Sequence, residues 1–209
     1  MCYRFYMELS PELKPIVEAA NRSSLGKRMV SKLGRPLTTN GEVRPTNIVP
    51  VLAPDKSGAR VVFPMVWGFQ VKGLSSPLVN ARSETASQKP TFREAWASHR
   101  CVIPASYYFE WEHFVSPDGK VKTGDKFMIQ PSGSKVCWLA GLYRIEDYLG
   151  FSYPVFTVLT RDPGESIRFI HDRMPVILPE NKITDWIRPD GHPEQVLSTA
   201  LTDMVFSRC

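Results

Sequence analysis

The chain predicts an α+β fold: a single domain built on a largely antiparallel, curled or barrel-like β-sheet with flanking short helices. Three observations carry this. Short runs rich in Val, Ile, Phe, Tyr and Trp recur without βαβ alternation. Helix signals are brief and scattered between them. The 209 residues, 43% hydrophobic and 11% aromatic, suffice for one packed core, and no repeat or Gly/Ser linker divides them. One domain over residues 1–209 is therefore expected.

In order, an apolar start runs from Cys2 to Met7. Ser10-Pro11-Glu12 reads as a helix start, with Ser as cap, Pro in the first turn and an acid near the positive end of the dipole. Arg60 to Val71 is rich in Val, Phe and Trp and predicts one or two strands. Asn80 to Thr85 is polar and reads as a loop, and Thr91-Phe92-Arg93-Glu94 fits a capping box opening a helix through about Ser98. Strands follow over Arg100 to Ile103 and Tyr107 to Phe114, with a Pro117-Asp118-Gly119 hairpin turn. Further strands are expected at Lys126 to Gln130, Val136 to Tyr143, Pro154 to Thr160 and Met174 to Leu178. Pro163 to Ser166 reads as a helical turn, and Pro179 to Trp186 and Pro193 to Leu201 as short helices. No strand is predicted after Val196.

Composition excludes several classes. The four cysteines (Cys2, Cys101, Cys137, Cys209) form no CxxC pair and the four histidines are scattered, so neither a metal site nor a cofactor is expected. The N-terminus has no apolar signal region, and no apolar run reaches membrane-spanning length. A cytoplasmic monomer with reduced thiols and no membrane contact is the expectation. The net charge of +5 permits nucleic-acid binding. The basic residues Lys27, Arg28, Lys32, Arg35 and Arg44 read equally well as a solvated face.

Cys2 has the most distinctive chemistry. Removal of Met1 would leave an α-amine of pKa about 8 and a thiol of pKa about 8.5 on adjacent carbons. Such a 1,2-aminothiol condenses with an aldehyde to an imine, and the thiol then closes on the imine carbon to a five-membered thiazolidine. It also suits an N-terminal nucleophile. Three other places accompany it. Asn80-Ala81-Arg82-Ser83-Glu84-Thr85 is a polar segment. In Tyr107 to Glu112, alternation puts Tyr108, Glu110 and Glu112 on one strand face, and flanking aromatics can desolvate Glu110 into the range of a general acid. Alternatively that face lies in water. His171, in Ile170-His171-Asp172-Arg173-Met174-Pro175, is either a proton shuttle or a structural hydrogen-bonding residue.

The chain resembles the SRAP family of abasic-site processing proteins in Met1-Cys2-x-Arg4, Arg44-x-x-Asn47-x-x-Pro50, Trp67-Gly68-Phe69, Asn80-Ala81-Arg82-x-Glu84-Thr85, Phe109-Glu110-Trp111 and Ile170-His171-Asp172-Arg173-x-Pro175. The resemblance implies loss of Met1 and capture, by an exposed Cys2, of abasic sites in single-stranded DNA as a thiazolidine crosslink. It implies Cys2 as nucleophile, Asn80 as the residue holding the Cys2 end and adduct, Glu110 as acid and His171 as proton shuttle. Arg4 and Arg82 would bind phosphates, and Asn47, Pro50 and Trp67 would line the DNA groove. In Trp67 a stacking face competes with a core position. Three departures stand out: Tyr3 where the family's common form has glycine, Gln70-Val71-Lys72-Gly73 where further aromatics are usual, and a short C-terminus, Val196 to Cys209, without the family's usual last strand-like motif. Two other functions use the same features. One is an N-terminal-nucleophile cysteine peptidase, acting on itself or on peptides, with Asn80 as oxyanion donor. The other is a non-covalent single-strand binder. The covalent reading requires Cys2, Asn80, Glu110 and His171 to converge in one solvent-open pocket.

Overall fold

The computed structural model describes residues 2–209. The strands are β1 (Arg4–Met7), β2 (Gly41–Val43), β3 (Ile48–Pro54), β4 (Arg60–Trp67), β5 (Asn80–Arg82), β6 (Arg100–Ala105), β7 (Tyr107–Val115), β8 (Val121–Pro131), β9 (Cys137–Tyr148), β10 (Phe151–Arg161), β11 (Met174–Pro175), β12 (Ile177–Leu178) and β13 (Met204–Arg208). The helices are α1 (Lys14–Arg22), α2 (Ser24–Leu33), α3 (Pro90–Ser98), α4 (Ile183–Ile187) and α5 (Pro193–Leu197).

The expected α+β architecture with a curled sheet is what forms. β4, β3, β6 and β9 pair antiparallel in that order, and β10 closes the ring by pairing antiparallel with β9 and parallel with β4. The result is a five-stranded barrel. Beyond β4, β10 continues parallel to β5, setting Val158 opposite Asn80 and Thr160 opposite Arg82, while Thr160 on its other edge faces Pro175 of β11. A second sheet, ordered β13-β8-β7-β1-β2, is antiparallel throughout.

Side-chain alternation divides the core. Val49, Val51 and Ala53 point into the cluster that fills the barrel and meets Phe5, Tyr108 and Ile129 of the second sheet. Ile48 and Leu52, on the opposite face of β3, pack beneath the helices with Leu13, Met29, Trp96 and Trp186. Both faces of β3 are thus dry, so it reads as a continuous apolar run. Its two prolines hid it from sequence inspection. In the structure Pro50 lies opposite Pro64, which confines two missing N–H donors to one rung of the ladder.

Other elements correct the sequence reading. α2 was not predicted; Ser23 caps it through Gly26 N–H, and Gly34 ends it in the left-handed conformation. α3 begins at Pro90, with no side-chain cap bond, so the capping box at Thr91 and Glu94 does not form. Asn80 to Arg82 is a strand instead of a loop. The tail forms β13, pairing with β8 from Met204 opposite Pro131 to Arg208 opposite Phe127. The Pro117-Asp118-Gly119 turn does join a hairpin, although β8 starts earlier than predicted, at Val121.

Arg100 ties the helices to the barrel. It is a fully buried arginine, and its guanidinium donates to the carbonyls of Trp96 and Ala97 at the end of α3 and to those of Trp186, Arg188 and Pro189 at and after the end of α4. These are carbonyls with no helical partner of their own. Replacing Arg100 by Met should destabilise the fold by roughly 3 kcal/mol or more, because several buried acceptors lose charged donors at once. Urea denaturation of the two proteins measures it, and a difference below about 1 kcal/mol would show that water replaces the guanidinium.

Candidate active site

The site forms where β1, β5, β7 and the loop before β11 meet. Cys2 sits just ahead of β1, which pairs with β7 so that Arg4 faces Phe109 and Phe5 faces Tyr108. Asn80 of β5 reaches across and donates from Nδ2 to the Cys2 carbonyl at 2.9 Å. Its Oδ1 is buried and accepts no hydrogen bond among the described residues. An acceptor left open beside Cys2 is suited to an incoming N–H or O–H.

Cys2 was expected to be exposed, and in the structure it has no exposed area. It belongs to the barrel cluster with Phe5, Tyr108 and Cys137. Its Sγ contacts the Arg4 carbonyl at 3.7 Å. Burial first, and the neighbouring Glu110 carboxylate second, push the thiol well above its ordinary range. The expected loss of Met1 concerns a residue outside the described ones.

Glu110 is only 4% exposed, so the water-facing alternative for its strand face is ruled out. Burial raises its carboxyl to about 7. His171, with a side chain 10% exposed, moves the other way, and burial lowers it to about 4. Burial is the largest cause of both shifts, because low-polarity surroundings favour the uncharged form. Near neutrality Glu110 holds a proton for much of the time and His171 holds none.

Glu110 and His171 line one open cavity of about 630 Å³ with Tyr3, Arg4, Arg82, Trp111, His113, Thr123, Asp172 and Arg173. The expected convergence of all four residues in one solvent-open pocket is therefore met only in part: Glu110 and His171 reach the cavity, whereas Cys2, fully buried, and Asn80, bonded to its carbonyl, do not line it. Tyr3, about half exposed, lies at the rim.

Arg173 places the histidine loop. Its guanidinium donates to Asp162 at 2.6 Å, to Glu84 at 2.8 Å and to the Thr160 carbonyl at 2.7 Å. Glu84 belongs to the Asn80–Thr85 motif, so one buried arginine fastens the histidine loop to the strand carrying Asn80. Arg4 joins a different network. It pairs with Glu42 at 3.0 Å, and Glu42 also takes Arg44 at 2.8 Å and Lys126 at 3.7 Å. Three cations share one acid, leaving a positive excess beside the cavity. Arg4 and Lys126 also lie over the Trp111 ring.

Other predicted positions lie elsewhere. Trp67 has no exposed surface; it stacks between Phe5 and Phe156 and donates Nε1–H to the Val79 carbonyl. It offers no face to a base. Gly68 beside it has φ +118°, and a Cβ there would meet Pro77 at 2.7 Å, which accounts for the glycine in that motif. Pro50 is buried in β3. Asn47 braces a turn instead of lining the cavity: its Oδ1 accepts from Arg44 N–H at 2.9 Å, while neighbouring Thr46 takes a φ of +72°. Lys27, Arg28 and Lys32 lie on the solvated side of α2.

Sequence reasoning missed His113 and Glu42. Strict alternation puts His113 on the face opposite Glu110. A register shift between Trp111 and His113 breaks that alternation and turns His113 into the cavity. Glu42 gave no signal, because two of its three partners, Arg4 and Lys126, come from distant parts of the chain. A larger cavity of about 850 Å³ opens at the other mouth of the barrel between Phe63, Met65, Tyr143 and Ile145, away from Cys2 and Glu110. Among the described residues no cluster of His, Cys, Asp or Glu suits a metal ion, and no helix is long and apolar enough to cross a membrane.

Comparison with known proteins agrees with this architecture. The sequence profile of the family described as SOS response associated peptidase (SRAP) matches residues 1–207. The chain is 35% identical over 125 residues to the abasic site processing protein YoaM of Bacillus subtilis (strain 168), covering 59% of this chain and 53% of that one. It is 28% identical over 131 residues to the abasic site processing protein YedK of Escherichia coli (strain K12), covering 61% and 55%. The chain thus spans about half the length of the curated relatives it matches. A crystal structure of a Bacteroides thetaiotaomicron protein has the same fold, with a TM-score of 0.74 at 20% identity over 99% of this chain and 91% of that one. A phage-related protein from Bordetella bronchiseptica gives 0.69 at 20% identity over 100% and 94%. The ordered motifs, the closed barrel that brings them together and the profile match over nearly the whole length place this chain in the SRAP family, to which it belongs.

Proposed function

We propose that this protein captures abasic sites in single-stranded DNA by forming a thiazolidine between Cys2, freed of Met1, and the aldehyde of the ring-opened sugar. The observation that carries the reading is the Asn80 bond to the Cys2 carbonyl, beside a buried Glu110 that faces a cavity shared with His171 and three arginines, Arg4, Arg82 and Arg173. The names of relatives as abasic site processing proteins point the same way.

The buried thiol suggests an order of steps. The Cys2 amine attacks the aldehyde carbon first, giving a carbinolamine. Glu110, protonated near neutrality, delivers a proton to the departing hydroxyl, and water leaves to give an iminium ion. The thiol then adds to that carbon, and its proton passes to the Glu110 carboxylate or to His171. Aldehyde plus aminothiol becomes thiazolidine plus water, with no net change in protons. A neutral thiol suits this sequence because the iminium is a strong electrophile. A peptidase using the same cysteine needs a thiolate against a far less reactive amide, and burial opposes that. Arg4 and Arg82 hold phosphates flanking the lesion.

Protein lacking Met1, incubated with a single-stranded oligonucleotide carrying one abasic site, should give a heat-stable adduct on a denaturing gel. Cys2→Ala should abolish it, and Cys2→Ser should fail to give a thiazolidine by mass. Normal adduct from Cys2→Ala would sink the proposal.

The raised carboxyl of Glu110 sets a pH limit. As pH rises through about 7 the folded protein loses the acid form, so single-turnover crosslinking should decline on the alkaline side of that value. Glu110→Gln should lose that limb and slow the reaction by about 100-fold. A wild-type limb that persists unchanged in the Gln variant would assign it to another group.

A further inference from the structure

We propose that His113 is a positioning residue for His171: its exposed imidazole covers the buried one within the cavity and, because two cations do not fit in that contact, keeps His171 unprotonated. The idea deepens the abasic-site reading above and rests on it for its role in the reaction, but the contact stands on its own geometry.

His113 follows the register shift in β7, which turns its side chain towards the loop before β11. The two imidazole centroids are 4.7 Å apart at 47°. The backbone agrees with the ring contact, since His113 N–H donates to the Ile170 carbonyl at 3.1 Å and so holds the residue ahead of His171. His113 is exposed, whereas His171 is nearly buried. One ring therefore stands between the other and solvent.

The surroundings of His171 distinguish its two states. Its Nδ1 accepts the Arg173 backbone N–H at 3.0 Å, which requires an unprotonated nitrogen. The same Nδ1 lies 2.7 Å from Asp172 Oδ1, to which it donates once protonated. With its proton on Nε2 the ring accepts from Arg173 at Nδ1, and with a proton on Nδ1, in the other neutral tautomer or in the cation, it donates to Asp172. Asp172, exposed on the same loop, favours the charged state, as does the Glu110 carboxylate from β7 once it ionises. The N-terminal ammonium and His113 oppose it, and Arg4 from β1, Arg82 from β5 and Arg173 on the loop itself bring further positive charge to the cavity wall. Of these, His113 is the group in ring contact, and like charges at that separation repel. An unprotonated His171 can take the thiol proton when the ring closes.

The test is an isotope-edited NMR titration of the histidines in Met1-processed protein, for wild type, His113→Gln and His113→Lys. Gln removes the cation while keeping size and polarity; Lys keeps a cation at every pH. The protonation midpoint of His171 should rise by roughly one pH unit in the Gln variant, given a partly screened contact, and should not rise in the Lys variant. The acid-side limb of the crosslinking rate should shift with it. A His171 midpoint that is the same in Gln and Lys variants overturns the proposal. So does a rate lowered equally at every pH by both, which is the mark of packing alone. A midpoint that follows the charge at position 113, in a wild-type protein that forms no adduct, supports the coupling and refutes the abasic-site reading instead.

Discussion

Closure of the barrel by β10 is the constraint on which the site depends. This strand bonds antiparallel to β9 on one edge and parallel to β4 and then β5 on the other, before reaching β11. Parallel pairing needs a long crossover, and here the crossover includes much of the chain. That arrangement brings Asn80 from one third of the chain and the His171 loop from another to the same end of one strand. With β10 unpaired, neither would stand near Cys2.

Two buried arginines complete the assembly in different ways. Arg100 spends its donors on backbone carbonyls of helix ends, whereas Arg173 uses carboxylates and a strand carbonyl. A guanidinium suits both tasks, since its planar donors reach several acceptors at fixed angles. The Arg173 network matters more for chemistry, because Glu84 and Asp162 fix the loop that presents His171. Glu84 and Arg173 thus brace the loop that carries His171, although Arg173 also lines the cavity.

Burial also prepares the reactive groups. A carboxyl and an imidazole in the same dry wall move in opposite directions on the pH scale, because each favours its neutral form. The outcome is a protonated acid and an unprotonated base in one cavity near neutrality, a pairing suited to acid–base chemistry. The same dryness disfavours the thiolate form of Cys2. The positive excess around Glu42 lies outside this wall, where solvent screens it and a phosphate chain can reach it.

The sequence by itself determined the α+β class, the hairpin at Pro117-Asp118-Gly119, most barrel strands and the identity of Cys2, Asn80, Glu110 and His171 as the residues to examine. Those features are local: they are written in side-chain periodicity, turn residues and short motifs. Only the tertiary structure decided that Trp67 and Pro50 belong to the core, that Asn47 braces a turn, and that the tail adds a strand to β8. The same holds for the burial of Cys2 and Glu110 and for the turn of His113 into the cavity. Each of these depends on a partner far away in the chain. Burial, register shifts and strand closure are properties of what lies opposite a residue, and no window of neighbouring residues contains that information.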